Sequence, residues 1–207
     1  MLARRTLLLY VAVAVVAGAL GFGLANRSPA PASPAQALVL NQPRPLPAFR
    51  LLDHRGESFG PERLQGRWTF LFFGFTHCPD ICPTTLQTLA AALTSLEDLP
   101  DDERPSVVMI SVDPERDTPD QLAGYVPYFD PDFLGATGPE PSLAPLAAGL
   151  GVAYGRTPNE DGSSYTVDHT AAIFLVDPAG RLAAVFGTPH SAATIASDYR
   201  YVLEKAG

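Results

Sequence analysis

The sequence predicts an α/β domain of layered sheet and helices that follows a single membrane-spanning segment. Residues 6–25 run without a charged side chain, and as a helix they would reach roughly 30 Å, the thickness of a bilayer core. From residue 46 onwards, short strand-like runs alternate with segments of helical periodicity, which is typical of α/β layering. We therefore divide the 207 residues into a cytoplasmic N-terminus 1–5, a transmembrane anchor 6–25, a Pro/Ala-rich linker 26–45 and a domain 46–207.

Charges around the apolar run predict its orientation. Arg4 and Arg5 precede it, and only Arg27 follows closely, so the positive-inside tendency keeps the N-terminus in the cytoplasm. The domain then faces the periplasm or the cell exterior from the cytoplasmic (inner) membrane. A cleaved signal peptide is the alternative, although its apolar region is usually only about 7–15 residues long. The linker cannot bury a core, and about fifteen of its residues in polyproline II form would span roughly 45 Å.

The first half of the domain contains a hairpin, a buried strand and an amphipathic helix. Residues 49–59 predict a small hairpin whose turn contains Arg55-Gly56. Residues 68–75 are almost continuously apolar, which indicates a strand buried on both faces. Leucines at spacings of three and four predict an amphipathic helix over 83–99.

The second half continues the alternation and resembles the thioredoxin-like order of elements. It is predicted to comprise a buried strand at 106–112, a helix from Thr118-Pro119 to 129, a short strand at 133–137, a helix at 142–150 ended by Gly151, a loop or irregular hairpin at 154–167, antiparallel strands at 171–176 and 181–186, and a final helix at 191–205.

Composition excludes some classes of function. The formal net charge of −8 gives no electrostatic reason to bind nucleic acid. The chain has two cysteines, too few for a framework of several disulfides. They suffice for one local disulfide or for one soft metal ion.

Cys78 and Cys82 lie where the buried strand ends and the amphipathic helix begins. The free N–H groups and positive dipole end of a helix N-terminus stabilise a thiolate and lower its pKa. Thiolates attack disulfides and bind metals, and a pair of them favours Cu(I). Two alternatives remain open for the pair, a structural disulfide and two inert cysteines. A structural zinc site is disfavoured, because it needs four ligands and the sequence does not offer four.

His169 is the candidate third ligand. It stands before the predicted strand 171–176, at an end that faces the cysteine loop in a thioredoxin-like fold. Two thiolates and an imidazole suit three-coordinate Cu(I), or Cu(II) with an added ligand. A loop histidine that bonds to the backbone is the open alternative.

The remaining polar residues near the pair have ordinary interpretations. His77 is adjacent to Cys78 and is expected to tune the site or to lie on the surface, and His54 and His190 are expected to be solvated. Three aspartates near the pair are expected to stabilise turns or cap helices, namely Asp80, Asp113 and Asp168. The alternative is that they orient the ligands or a partner protein. Residues 113–117 follow a strand end and are expected to line the same face.

Three segments resemble the Sco/SenC family of copper proteins, namely FFGFTHCPDICPTTL, ISVDPERDTPDQLAGYVPYFDPDFLGATG and YTVDHTAAIFLVDPAGRL. The resemblance spans roughly residue 46 to the C-terminus. It implies a thioredoxin-like fold in which Cys78, Cys82 and His169 ligate copper. It also implies that the chain assists assembly of the binuclear copper centre in subunit II of cytochrome c oxidase, with other copper carriers as further partners.

Three functions fit exposed thiolates of low pKa. A metallochaperone would bind copper through the reduced cysteines and His169, and would pass it on by ligand exchange. A thiol–disulfide oxidoreductase would use the same cysteines without His169. A peroxiredoxin-like peroxidase is disfavoured, because both cysteines lie in one short segment and no separate resolving cysteine exists.

Overall fold

The computed structural model describes residues 33–159 and 162–206. It confirms the layered α/β architecture, with one large sheet, one separate two-stranded sheet and helices against the large sheet. The strands are β1 (Ala37–Pro45), β2 (Leu51–Asp53), β3 (Ser58–Phe59), β4 (Thr69–Gly74), β5 (Ser106–Ser111), β6 (Leu134–Thr137), β7 (Tyr154–Pro158), β8 (Tyr165–His169), β9 (Ile173–Val176) and β10 (Arg181–Phe186). The α-helices are α1 (Ile81–Thr94), α2 (Pro119–Tyr125), α3 (Glu140–Leu150) and α4 (Ala192–Ala206), and short 3-10 helices cover Pro61–Leu64 and Val126–Tyr128.

The large sheet has the strand order β1-β10-β9-β4-β5-β6-β2-β3. Strands β4, β5 and β6 are parallel, and the other neighbours are antiparallel. Every residue of β4 is buried, as its continuous apolar run predicts for a central strand. Since β4 ends at Gly74 and α1 begins at Ile81, the segment between them lies at the carboxyl ends of the parallel strands, where α/β sheets bind ligands.

Two predicted helix boundaries are confirmed, the start at Thr118-Pro119 and the end at Gly151, whereas the helix predicted to reach residue 99 ends at Thr94. The Thr118 hydroxyl accepts a hydrogen bond from the backbone N–H of Gln121 at 3.2 Å, and Pro119 occupies the first turn of α2. Helix α3 ends at Gly151, whose φ of 74° is the left-handed conformation that terminates helices.

Strand β1 differs from the sequence prediction, which assigned residues 26–45 to a linker. Residues 37–45 instead pair with β10 at the edge of the sheet. The buried carboxylate of Asp198 in α4 accepts hydrogen bonds from the backbone N–H groups of Ala35, Gln36 and Ala37 at 2.7–2.9 Å. The linker prediction is therefore wrong for this part, because partners some 150 residues away stabilise a segment whose own composition is typical of coil. Its prolines are tolerated at a sheet edge.

Strands β7 and β8 form an antiparallel pair, and the described residues of this hairpin share no ladder with the large sheet. The sequence predicts a loop or irregular hairpin here, and the structure shows a regular antiparallel pair of strands. At its base, the Thr170 N–H donates to the Ala153 carbonyl at 2.9 Å. The hairpin carries His169 as the last residue of β8.

Within residues 33–159 and 162–206, no helix combines the length and apolar character that crossing a bilayer requires. The predicted cytoplasmic N-terminus 1–5, the anchor 6–25 and the first part of the linker lie outside the described residues.

Candidate metal centre

Both cysteines lie where the sequence predicts, between β4 and α1. Cys78 is in the loop after β4 and is 9% exposed, whereas Cys82 is in the first turn of α1 and is fully buried. The N–H of Cys82 points at the Cys78 sulfur, 3.4 Å away. One unpaired N–H of the helix N-terminus thus directly contacts Cys78 Sγ.

The two thiols differ in their ionisation. The hydrogen bond from the Cys82 thiol lowers the pKa of Cys78 to about 4, with smaller support from the backbone N–H groups of Asp80 and Cys82, against the opposing effect of burial. Donation of that same hydrogen bond, together with burial, raises the pKa of Cys82. In the reduced protein Cys78 is therefore the thiolate, and Cys82 is a thiol that stabilises it.

His169 contacts Cys82 although 87 positions separate them, with its Nε2 3.4 Å from Cys82 Sγ. Its Nδ1 lies 3.1 Å from the Thr170 carbonyl oxygen. Because a carbonyl only accepts, Nδ1 carries the proton, and this assignment leaves the lone pair of Nε2 directed at the sulfur. The rings of Phe72 and Phe75 pack edge-to-face with the imidazole, with centroids at 6.0 and 5.9 Å.

Cys78, Cys82 and His169 each offer one ligand atom, and these atoms all lie within 4.8 Å of one another. Metal–sulfur and metal–nitrogen bonds of about 2.0–2.3 Å place ligand atoms roughly 3.5–4 Å apart. Small side-chain shifts are therefore enough to bring all three donors onto one ion. The donor set is soft and lacks a fourth protein ligand within the group.

The other histidines lie outside this group. Nδ1 of His77 is 3.0 Å from Thr76 Oγ1 and 3.8 Å from a carboxylate oxygen of Asp117. His54 and His190 are partly buried and hydrogen-bonded to the backbone, so the expectation that they are solvated is wrong. His54 Nδ1 accepts from the Gly135 N–H at 3.0 Å, and His190 Nε2 donates to the Ala171 carbonyl at 2.7 Å.

Asp117 positions the cysteine loop, a role that sequence reasoning missed. Its buried carboxylate accepts hydrogen bonds from the N–H and the hydroxyl of Thr76 at 2.9 and 2.6 Å, and from the Ser111 hydroxyl at 2.6 Å. It thereby joins the loop after β4 to the end of β5. The predicted aspartates Asp80 and Asp168 have local roles, accepting from the hydroxyls of Thr84 and Thr157.

Comparisons with known proteins show which family this chain is similar to. The sequence profile of the SCO1/SenC family matches residues 40–204. Protein SCO2 homolog, mitochondrial, of Homo sapiens is 40% identical over 152 residues, which cover 73% of this chain and 57% of the relative. This chain thus spans little more than half the length of that relative.

Two solved structures with copper bound share the fold. The Arabidopsis thaliana ScoI structure is 36% identical with a TM-score of 0.72, covering 77% of this chain and 98% of its own. The Bradyrhizobium japonicum ScoI structure is 35% identical with a TM-score of 0.67, covering 76% and 99%. Given these matches along most of its length, the chain belongs to the SCO1/SenC family.

Proposed function

We propose that this chain is a copper chaperone that binds the metal through Cys78, Cys82 and His169. The observation that carries the proposal is the convergence of two sulfurs and one imidazole nitrogen within 4.8 Å. Thiolate and imidazole donors favour Cu(I), and the same set accepts Cu(II) with an added ligand. The copper-bound ScoI structures support this choice of metal.

The form of the site suits a metal that is passed on. Structural sites for soft metals are usually closed by four protein ligands, whereas three leave a coordination position open. Cys78 and His169 lie toward the solvent side of the group and Cys82 on the inner side. A ligand of a receiving protein can therefore approach from one side and replace the donors one at a time. Both thiols must be reduced for binding, so the redox state of the pair controls loading.

The proposed recipient is the binuclear copper centre in subunit II of cytochrome c oxidase, with other copper carriers as further partners. This recipient follows from the family resemblance. The apolar run at 6–25, with Arg4 and Arg5 before it, supports an anchor in the cytoplasmic membrane that holds the domain on the periplasmic or outer side.

Anaerobic Cu(I) competition titration of the reduced protein tests the ligand set. We expect His169→Ala to weaken binding and to change the absorption spectrum of the Cu(II) form, because one of three donors is lost. His54→Ala is the matched control, since His54 is also a partly buried, backbone-bonded histidine. Equal affinity and an unchanged spectrum in His169→Ala would remove the third ligand from the proposal.

A thiol–disulfide oxidoreductase is the alternative, and the observation in its favour is that the less buried Cys78 lies directly beside the fully buried Cys82. A Cys78 thiolate beside a buried Cys82 thiol is the arrangement that lets one cysteine attack a partner disulfide and the other resolve it. This function predicts full activity in His169→Ala. It also predicts a mixed disulfide through Cys78 that accumulates in Cys82→Ser, and failure to trap one would count against it.

A further inference from the structure

The position of His169 depends on contacts that the sheet does not provide. Among the described residues, β7 and β8 pair only with each other. Cys78 and Cys82 follow β4, a central strand of the large sheet, whereas His169 lies on the hairpin. Besides the short connection of residues 170–172 to β9, side-chain contacts between the hairpin and the rest of the domain therefore help to fix the distance between the imidazole and Cys82.

Strand β8 turns one face toward the domain. Tyr165, Val167 and His169 alternate with the exposed Thr166 and Asp168, as the two-residue period of a strand requires. Val167 is buried in the middle of this face. Tyr165 lies at one end of this face, and His169 lies at the other end, in the metal centre. Contacts that hold Tyr165 therefore also constrain His169.

Tyr165 is held by Arg116 and Asp113, which follow β5. The guanidinium of Arg116 stacks on the Tyr165 ring at 3.9 Å from its centroid, and its Nη1 donates to the Tyr165 carbonyl at 3.0 Å. The hydroxyl of Tyr165 donates to Asp113 at 2.8 Å. The buried Asp113 carboxylate also accepts from Nε of Arg116, so the guanidinium is fixed on both sides.

Arg116 also reaches the metal centre from a second direction. Its guanidinium lies 5.8 Å from the centroid of the Phe75 ring. The edge-to-face contact described above then links Phe75 to His169. The imidazole is thus connected to Arg116 through the backbone of β8 and through the aromatic wall of the site.

We propose that Arg116, oriented by Asp113, is a positioning residue for His169. Its guanidinium fixes the Tyr165 end of β8 and supports Phe75, and this sets the imidazole against Cys82. The inference rests on the proposed function, in which His169 is a copper ligand. Residues that orient metal ligands in this way typically change metal affinity about 10- to 100-fold when altered.

A double-mutant cycle between Arg116→Lys and His169→Ala tests the proposal. Lysine keeps a positive charge beside the buried Asp113, but it lacks the planar guanidinium that stacks on the Tyr165 ring and donates hydrogen bonds in fixed directions. We expect Arg116→Lys alone to weaken Cu(I) binding about 10- to 100-fold. In the absence of His169, the same change should have no further effect, so the double variant should bind as His169→Ala does. Additive losses would overturn the proposal, because they would mean that Arg116 does not act through His169.

A second readout needs no metal. In the reduced, metal-free protein, we expect ring currents to shift the ring-proton resonances of His169, because the rings of Phe72 and Phe75 pack edge-to-face with the imidazole. We expect Arg116→Lys to move these resonances toward free-histidine values. Unchanged resonances would overturn the positioning role even if the copper data were ambiguous. Normal copper binding in His169→Ala would contradict the proposed ligand set. The His169 resonances in Arg116→Lys would still show whether Arg116 positions the ring.

Arg181→Lys is the matched control. Arg181 also bonds to a buried aspartate, Asp177, at 2.8 Å, but at the turn between β9 and β10. It should leave both readouts unchanged. If Arg116→Lys does not fold, Tyr165→Phe takes its place in the cycle, since it removes only the hydroxyl that bonds to Asp113. A smaller loss that again disappears without His169 is expected, and an additive loss would contradict the proposal.

Discussion

Substitution of Gly74 tests how closely the site is built against the end of β4. The Cβ of an alanine at this position would lie 2.8 Å from Cε1 of Phe72, 3.1 Å from Sγ of Cys82 and 3.3 Å from Cε of Met109. Comfortable contacts between carbon atoms are about 3.5–4.0 Å. The neighbours must therefore move by several tenths of an ångström, and two of them are Cys82 and the ring that packs against His169.

Overpacking of this kind costs about 1–3 kcal/mol, and for a chain of this size each kcal/mol lowers the Tm by about 2–4 °C. We expect Gly74→Ala to lower the Tm of the reduced, metal-free protein by roughly 2–12 °C and to weaken copper binding. Thermal denaturation followed by circular dichroism measures the first effect, and the Cu(I) titration measures the second.

Gly124→Ala is the matched control with the opposite sign. Gly124 lies inside α2, and a Cβ there would meet nothing within 4 Å. Alanine in a helix is favoured over glycine by roughly 0.5–1 kcal/mol, so this variant should be slightly more stable. If Gly74→Ala showed the same small gain with unchanged copper binding, the steric reasoning would be refuted.

Three further outcomes follow from buried charges and from the thiolate. Asp198→Ala should destabilise the domain by about 2–4 kcal/mol, since the buried Ala37 N–H loses its acceptor, and should release β1, measured by urea denaturation and by amide exchange at Ala37. Asp117→Ala should cost a similar amount, about 2–4 kcal/mol, and should speed alkylation of Cys82 by loosening the loop before it, with mass spectrometry as the assay. Since the pKa of Cys78 is about 4, its alkylation rate should stay nearly constant from about pH 8 to about pH 5, where an ordinary thiol becomes about a thousandfold less reactive. The folded pKa is below the unfolded value, so the stabilisation from this thiolate is lost as the pH falls toward 4; a rate that falls tenfold per pH unit in this range would contradict the assignment.

The sequence predicts the elements whose determinants are local. The apolar runs of β4 and β5, the leucine spacing of α1 and the cap at Thr118 each define an element without knowledge of its neighbours. Strand β1 has no such signal. Its pairing with β10 and its bonds to Asp198 depend on residues that are remote in the chain, and its proline-rich composition is equally typical of coil.

The metal centre divides in the same way. Cys78 and Cys82 are predictable because the strand-to-helix junction that positions them is local. The position of His169 before a predicted strand makes it a candidate, but only the family resemblance separates a ligand from a loop histidine, since its approach to Cys82 depends on how the β7–β8 hairpin folds over the domain. Arg116 lies in a segment that was expected to line the same face, but its contact with Tyr165 spans 49 residues, and no pattern in the sequence indicates it.

The placement of β1 has a consequence for the geometry of the whole chain at a bilayer. Ala37 pairs with Phe186, which pairs with Ile173, and Ile173 pairs with Phe72 near the end of β4. The chain thus enters the large sheet at the end that carries the cysteine loop. Three strand spacings of about 4.8 Å place Ala37 roughly 14 Å from Phe72 across the sheet.

In a chain anchored by residues 6–25, this placement would limit the distance between the domain and the membrane and would determine which end of the domain is nearer to it. Only residues 26–34 separate the end of the anchor segment from Ala35, which bonds to Asp198, and nine residues span roughly 28 Å in extended form. In the proposed anchored chain, the end of the domain that carries Cys78 and Cys82 would then lie nearest the membrane. A recipient in the same bilayer would meet that end by lateral diffusion, without the domain having to turn over.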